Sequence, residues 1–100
     1  MYIQKKISDD GREMTLFLPE KFNFEIHGEF RDAYITEKKA KSMIVDMNKT
    51  NYMDSSALGM LLQLKEHAEK CNSKISVKNV HHNIMQIMQI AHFDKLFNIS

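Results

Sequence analysis

The chain has 100 residues, 43% hydrophobic and 27% charged, with a formal net charge of +1. That is one domain of ordinary globular composition, long enough to bury a single core without metals or disulfides. The near-neutral balance argues against a dedicated nucleic-acid binder, which shows a basic face, and against a strongly acidic partner surface. The single cysteine, Cys71, cannot close an internal disulfide, which fits a reducing compartment. Met1–Asp10 lacks the apolar core of a signal peptide, and no segment approaches the ~20 apolar residues of a membrane span. A single soluble, cytoplasmic domain over residues 1–100 is expected, with no membrane or nucleic-acid partner.

Ile3–Ser8 is a weak strand candidate. Asp9-Asp10-Gly11 supplies a hairpin signal, and Glu13–Leu18 alternates, with Met14, Leu16 and Leu18 on one face and Thr15 and Phe17 on the other. Pro19 ends that strand because it has no N–H to give a ladder. Phe22–Glu37 reads as a helix with Asn23 as N-cap, Glu25 in its first turn and Ile26, Phe30, Ala33 and Tyr34 as its buried stripe. Gly28 inside it costs about 1 kcal/mol relative to Ala, which suggests close packing against a strand. Glu37–Lys41 is a charged exit. Ser42–Met47 is expected to be the central strand. Its apolar run does not alternate, as when helices cover both faces of a sheet. Asp46 near its end is expected to hydrogen-bond the following loop.

A polar loop, Asn48–Asn51, leads to Asp54-Ser55-Ser56-Ala57-Leu58-Gly59, which opens a long amphipathic helix reaching about Cys71. Laid out at about 100° per residue, Ala57, Leu61, Leu64, Ala68 and Cys71 form a core stripe with Met60 beside them. Ser55, Leu58, Leu62, Glu66 and Glu69 fall on the other side, while Ser56 projects elsewhere. Asn72-Ser73 is a turn, and Lys74–Asn79 a strand with Ile75 and Val77 inward. Asn83–Ala91 is a helix whose stripe is Ile84, Ile87, Met88 and Ala91, widened by Met85 and Ile90. Phe93, Leu96, Phe97 and Ile99 are expected to pack the tail onto the sheet. A hairpin followed by alternating helices and strands implies an α/β fold with helices packed on a small mixed sheet.

Serine at a helix start is ordinarily an N-cap. Here a buried strand, a loop and then two serines after an aspartate put a hydroxyl where backbone N–H groups and the helix dipole favour negative charge. A phosphate on Ser55 would carry roughly −1.5 to −2 charges beside Leu58 and Leu62, and disrupted docking is its expected output. A hydrolase elbow needs Gly-x-Ser-x-Gly, and Met53-Asp54-Ser55-Ser56-Ala57 has neither glycine. His67 and Cys71 could face one another on a helix, but no second Cys or clear His-x-x-x-His pair joins them from His27, His81, His82 and His92. A buried cysteine is the preferred reading. The isolated Gly11, Gly28 and Gly59 make no phosphate-cradling loop. No catalytic residue, metal or cofactor is expected.

The stretch Tyr52-Met53-Asp54-Ser55-Ser56-Ala57-Leu58-Gly59 resembles the signature of the STAS domains of bacterial anti-sigma factor antagonists. Their pattern after the third strand is approximately Asp-Ser-[Ser/Thr]-Gly-Leu-Gly, and Ala57 stands in place of the first glycine. The closing Phe93-Asp94-Lys95-Leu96-Phe97 is similar to the family's tail, and the resemblance spans essentially the whole chain. It implies a STAS fold with a mixed sheet of about four to five strands. In that family the serine directly after the aspartate is phosphorylated by a partner that is both kinase and anti-sigma factor. A PP2C-type phosphatase removes the phosphate, and the unphosphorylated form binds the partner. Ser55 is the implied phosphosite, with Ser56 the second candidate. Asp54, Ser55, Ser56, Leu58, Gly59 and Leu62 are the expected partner-binding residues. The expected protein is a monomeric, non-enzymatic partner switch acting in transcription, or on biofilm or motility as some short Gram-negative relatives do. The alternative is a structural STAS subunit of a lipid-transport ABC complex, its serines only caps.

Overall fold

The computed structural model describes residues 2–100. β1 (Gln4–Ile7) and β2 (Glu13–Phe17) form the expected antiparallel hairpin. Gly11 closes its turn at φ 73°, a conformation glycine adopts without steric cost. β2 then pairs in parallel with β4 (Ser42–Asp46), β4 with β6 (Lys74–Lys78), and β6 with the short β7 (Asn98–Ile99). The sheet is five-stranded and mixed, in the order β1-β2-β4-β6-β7, so Ser42–Asp46 is central as expected.

Three helices cross over between these strands: α1 (His27–Tyr34), α2 (Ser55–Lys70) and α3 (His82–Ile90). They bury Phe30 and Tyr34, Leu61, Leu64 and Ala68, and Ile84 and Met88 in one cluster with Met14, Leu16, Met43, Val45 and Val77 of the sheet. This is the face that β2's alternation marks. The opposite face was expected to carry helices too, and it does not. There Thr15, Phe17 and Ile44 line a shallow depression built from strand and hairpin residues alone. Ile44 is covered by its neighbours on adjacent strands, which is why Met43-Ile44-Val45 reads as an unbroken apolar run.

Four other expectations are corrected. The first helix is shorter than Phe22–Glu37. Lys21–Phe22 form a strand, β3, a 3₁₀ turn occupies Phe24–Ile26, and α1 begins only at His27. Asn23 does cap, but it caps the 3₁₀ turn, accepting from the Glu25 N–H at 3.1 Å. Gly28 lies exposed, and a Cβ there would meet nothing within 4 Å, so close packing does not explain it. Cys71 stands just beyond α2 and is half-buried rather than in the core. Ile90 is 80% exposed and Leu96 faces outward, whereas Phe93 and Phe97 pack inside as expected.

Candidate functional site

Two short strands absent from the sequence reading position the start of α2. Tyr52–Met53 form β5, which pairs in parallel with β3 in a separate two-stranded sheet, Lys21 beside Tyr52 and Phe22 beside Met53. Each strand runs within a residue or two into helical structure, at Phe24 and at Ser55. α1 and α2 therefore start side by side, and they run in the same sense, since residues late in both line one common cleft. Strands this short carry no alternation from which to recognise them. The one available sign was the apolar pair Phe22 and Met53 beside polar runs.

The loop ahead of α2 is pinned from several sides. Thr50, fully buried, donates its hydroxyl to the Pro19 carbonyl at 2.8 Å. The Asn51 and Tyr52 N–H groups donate to the Glu20 carbonyl at 2.9 and 3.2 Å. The Asn83 amide donates to the Asn51 carbonyl at 2.9 Å, and the His81 ring meets the Asn48 carbonyl, so the start of α3 holds the same loop. Asp46 is the loop-side group expected of it. It accepts from the Asn48 N–H at 2.9 Å and from the Asn79 amide at 2.9 Å. Such cross-links order a loop that would otherwise sample many conformations.

The N-cap of α2 is Asp54, not a serine. Its Oδ1 accepts from the Ala57 N–H at 3.1 Å and from the Ser56 hydroxyl at 2.6 Å. The carboxylate also places negative charge at the positive end of the helix dipole. Ser56 is half-buried. Ser55 is exposed, and its hydroxyl has no hydrogen-bond partner among the described residues. Along the same side run half-buried Leu58, exposed Gly59 and Leu62, the last 39% exposed. The six residues expected at the site all lie in the first half of α2 or at its cap, with Ser55, Gly59 and Leu62 exposed and Asp54, Ser56 and Leu58 half-buried.

Sequence reasoning missed the aromatic neighbours. Phe24 is 60% exposed and stacks on the His27 ring at 4.0 Å between centroids, and Tyr52 is 48% exposed. Exposed aromatics such as these, and the exposed Leu62, are side chains from which a protein partner gains apolar contact.

A cleft of about 760 Å³ lies at the other end of α2, among Arg31, Tyr34, Lys38, His67, Lys70 and Cys71. Cys71 Sγ stands 3.7 Å from His67 Nε2, and that nitrogen is 2.9 Å from the Glu37 carbonyl. Arg31 and Lys70 sit in the last turns of their helices, where cations complement the dipole. Among the described residues no three His, Cys, Asp or Glu side chains come together as a metal set, and no helix is long and apolar enough to cross a membrane.

A family model described as the STAS domain matches residues 2–100. The STAS-domain containing protein PA14_20770 of Pseudomonas aeruginosa (strain UCBPP-PA14) is 42% identical over 97 residues, which is 93% of each chain. Among solved structures, an anti-sigma-factor antagonist (STAS) domain protein from Planctomyces limnophilus superposes with a TM-score of 0.82. It is 12% identical, over 99% of this chain and 89% of that one. The anti-sigma factor antagonist SpoIIAA in its unphosphorylated form superposes with a TM-score of 0.74 at 14% identity, over 98% and 86% of the two chains. Its phosphorylated form from Bacillus gives 0.69 at 15% identity, over 98% and 90%. At such identities the structural likeness speaks for the fold alone.

Proposed function

The chain belongs to the STAS-domain family, and from that premise we propose that it is a partner-switch regulator controlled by reversible phosphorylation of Ser55. The observation that carries this reading is the free, exposed Ser55 hydroxyl at the start of α2, on a side shared with Leu58 and Leu62. That SpoIIAA, which has the same fold, is known in both an unphosphorylated and a phosphorylated form supports it.

In this mechanism a serine kinase that is also an anti-sigma-type partner docks on the Asp54–Leu62 side of α2. The Ser55 Oγ forms a bond to the γ-phosphorus of ATP as the bond to the β-phosphate oxygen breaks and ADP leaves. The hydroxyl proton passes to a base on the kinase. A PP2C-type phosphatase restores the hydroxyl by hydrolysis, releasing inorganic phosphate. The phosphate adds roughly −1.5 to −2 charges at a surface that also presents the apolar Leu62. Helix N–H groups attract it and the Asp54 carboxylate repels it, so its effect on the fold is small. Its effect on docking is large, because the partner must desolvate a dianion. The chain itself needs no cofactor and performs no catalysis in this scheme. It acts as a monomer in the cytoplasm, where ATP and the partner kinase are available, with its output in transcription, biofilm or motility.

The test is calorimetric titration of the kinase partner into two variants. Ser55→Ala is expected to bind like the unphosphorylated protein, and Ser55→Asp to bind at least about tenfold more weakly, a difference of ~1.4 kcal/mol. Equal affinities would reject the switch.

A further inference from the structure

We propose that Asp54 selects the acceptor, holding the Ser56 hydroxyl so that Ser55 alone of the adjacent pair is open to phosphoryl transfer. This rests on the phosphoswitch reading and adds to it the residue that decides between two neighbouring serines. Helical spacing turns Ser55 outward but does not say what holds Ser56, and that lies in the hydrogen bonds around one carboxylate.

Ser56 Oγ donates its proton to Asp54 Oδ1 at 2.6 Å, within the range of strong, charge-assisted O–H···O⁻ bonds. The same oxygen takes the Ala57 N–H at 3.1 Å, so the carboxylate is anchored to the helix backbone and does not swing away with the serine. An acceptor hydroxyl must present a lone pair in line with the γ-phosphorus and release its proton to the kinase's base as the new P–O bond forms and ADP departs. Ser56 would first have to give up the bond to Asp54 and turn out of a half-buried position. Its phosphate would then stand against the Asp54 carboxylate that had held it, like charge on like charge. Ser55 is exposed and without a hydrogen-bond partner among the described residues, so although Asp54 repels its phosphate too, it has no bond to that carboxylate to give up first. Asp54 acts through Ser56 and is a positioning residue; it does not touch the transferred group.

The experiment is phosphosite mapping by mass spectrometry on the chain produced in its native cells with phosphatases inhibited. Wild type is expected to carry phosphate on Ser55. Ser55→Ala, with the Asp54 cap intact, is expected to carry at least about tenfold less phosphate on Ser56 than wild type carries on Ser55. Asp54→Ala should raise the Ser56 share about tenfold, whereas Asp54→Asn should not, because its amide oxygen still accepts from Ser56 and Ala57. That contrast separates acceptor selection from loss of the cap, and a thermal melt of each variant confirms that it folds. The proposal is overturned if Ser55→Ala is phosphorylated on Ser56 to the wild-type level, an arm that stands even if Asp54→Ala does not fold. It is equally overturned if Asp54→Ala folds and leaves the Ser56 share unchanged. Wild type free of phosphate on both serines would instead remove the phosphoswitch reading, and this proposal with it.

Discussion

Gly59 lies one helical turn beyond Ser55 on the exposed side of α2, and a Cβ added there would meet nothing within 4 Å. Packing inside the molecule therefore gives no reason for a residue that costs a helix interior about 1 kcal/mol relative to Ala. A partner surface settling onto the helix beside Ser55 does give one. Gly59→Ala is accordingly expected to raise stability by about 0.5–1 kcal/mol in a thermal melt. The same variant should weaken kinase-partner binding by about tenfold, since even one added methyl is felt in a close-packed contact. Equal binding by both forms would show that the partner does not approach there. The same helix shows which individual residues could be read in advance. The outward placement of Ser55 and Leu62 followed from spacing, because a helix has a fixed period, whereas Leu58, expected beside them, is half-buried and packs against the core. The engagement of Ser56 by Asp54, and the half-exposure of Cys71 at the helix end, did not follow from spacing, because caps and helix ends depart from that period.

α1 shows how neighbouring elements override local pattern. Ile26, Phe30 and Tyr34 are buried as their spacing implied, yet the helix starts late because β3 takes Lys21–Phe22 to pair with β5. That pairing, with the Thr50 and Glu20 hydrogen bonds, sets the start of α2 beside the start of α1. Gly28 falls in the first turn of the shortened helix, exposed and in open space. Gly28→Ala is therefore expected to stabilise the protein by up to about 1 kcal/mol, chiefly by restricting the unfolded chain, and to leave partner binding unchanged. Denaturant titration checks this: the midpoint should rise with no change in slope. A fall in the midpoint would indicate a packing role that the structure does not contain. α3 and the tail follow the same logic. Ile84, Met88, Phe93 and Phe97 turn inward, while Ile90 and Leu96 lie beyond the width of face that the sheet covers.

Across the whole molecule, Tyr34 joins α1 to α2. Its ring packs edge-on against Phe30 at 5.5 Å and tilted against His67 at 5.1 Å. Burial raises its phenol above the ordinary value of 10.0, with Glu66 adding to the shift and Arg31 opposing it. A raised folded-state value means that this stability is complete below about pH 10 and is lost as pH climbs through the higher folded value. The melting temperature of wild type is therefore expected to fall above pH 10, and Tyr34→Phe should remove that part of the fall. Circular dichroism melts at stepped alkaline pH decide it, and identical alkaline profiles would exclude the tyrosine as the cause. The hairpin, the central strand, the amphipathic helices α2 and α3 and the outward serine all followed from residue order, because periodicity and turn chemistry act between near neighbours. The strand order, the single helix-covered face, the β3–β5 pair and the carboxylate that engages one serine and not the other did not. They depend on hydrogen bonds and burial between segments far apart in the chain, and these exist only once the chain has closed on itself.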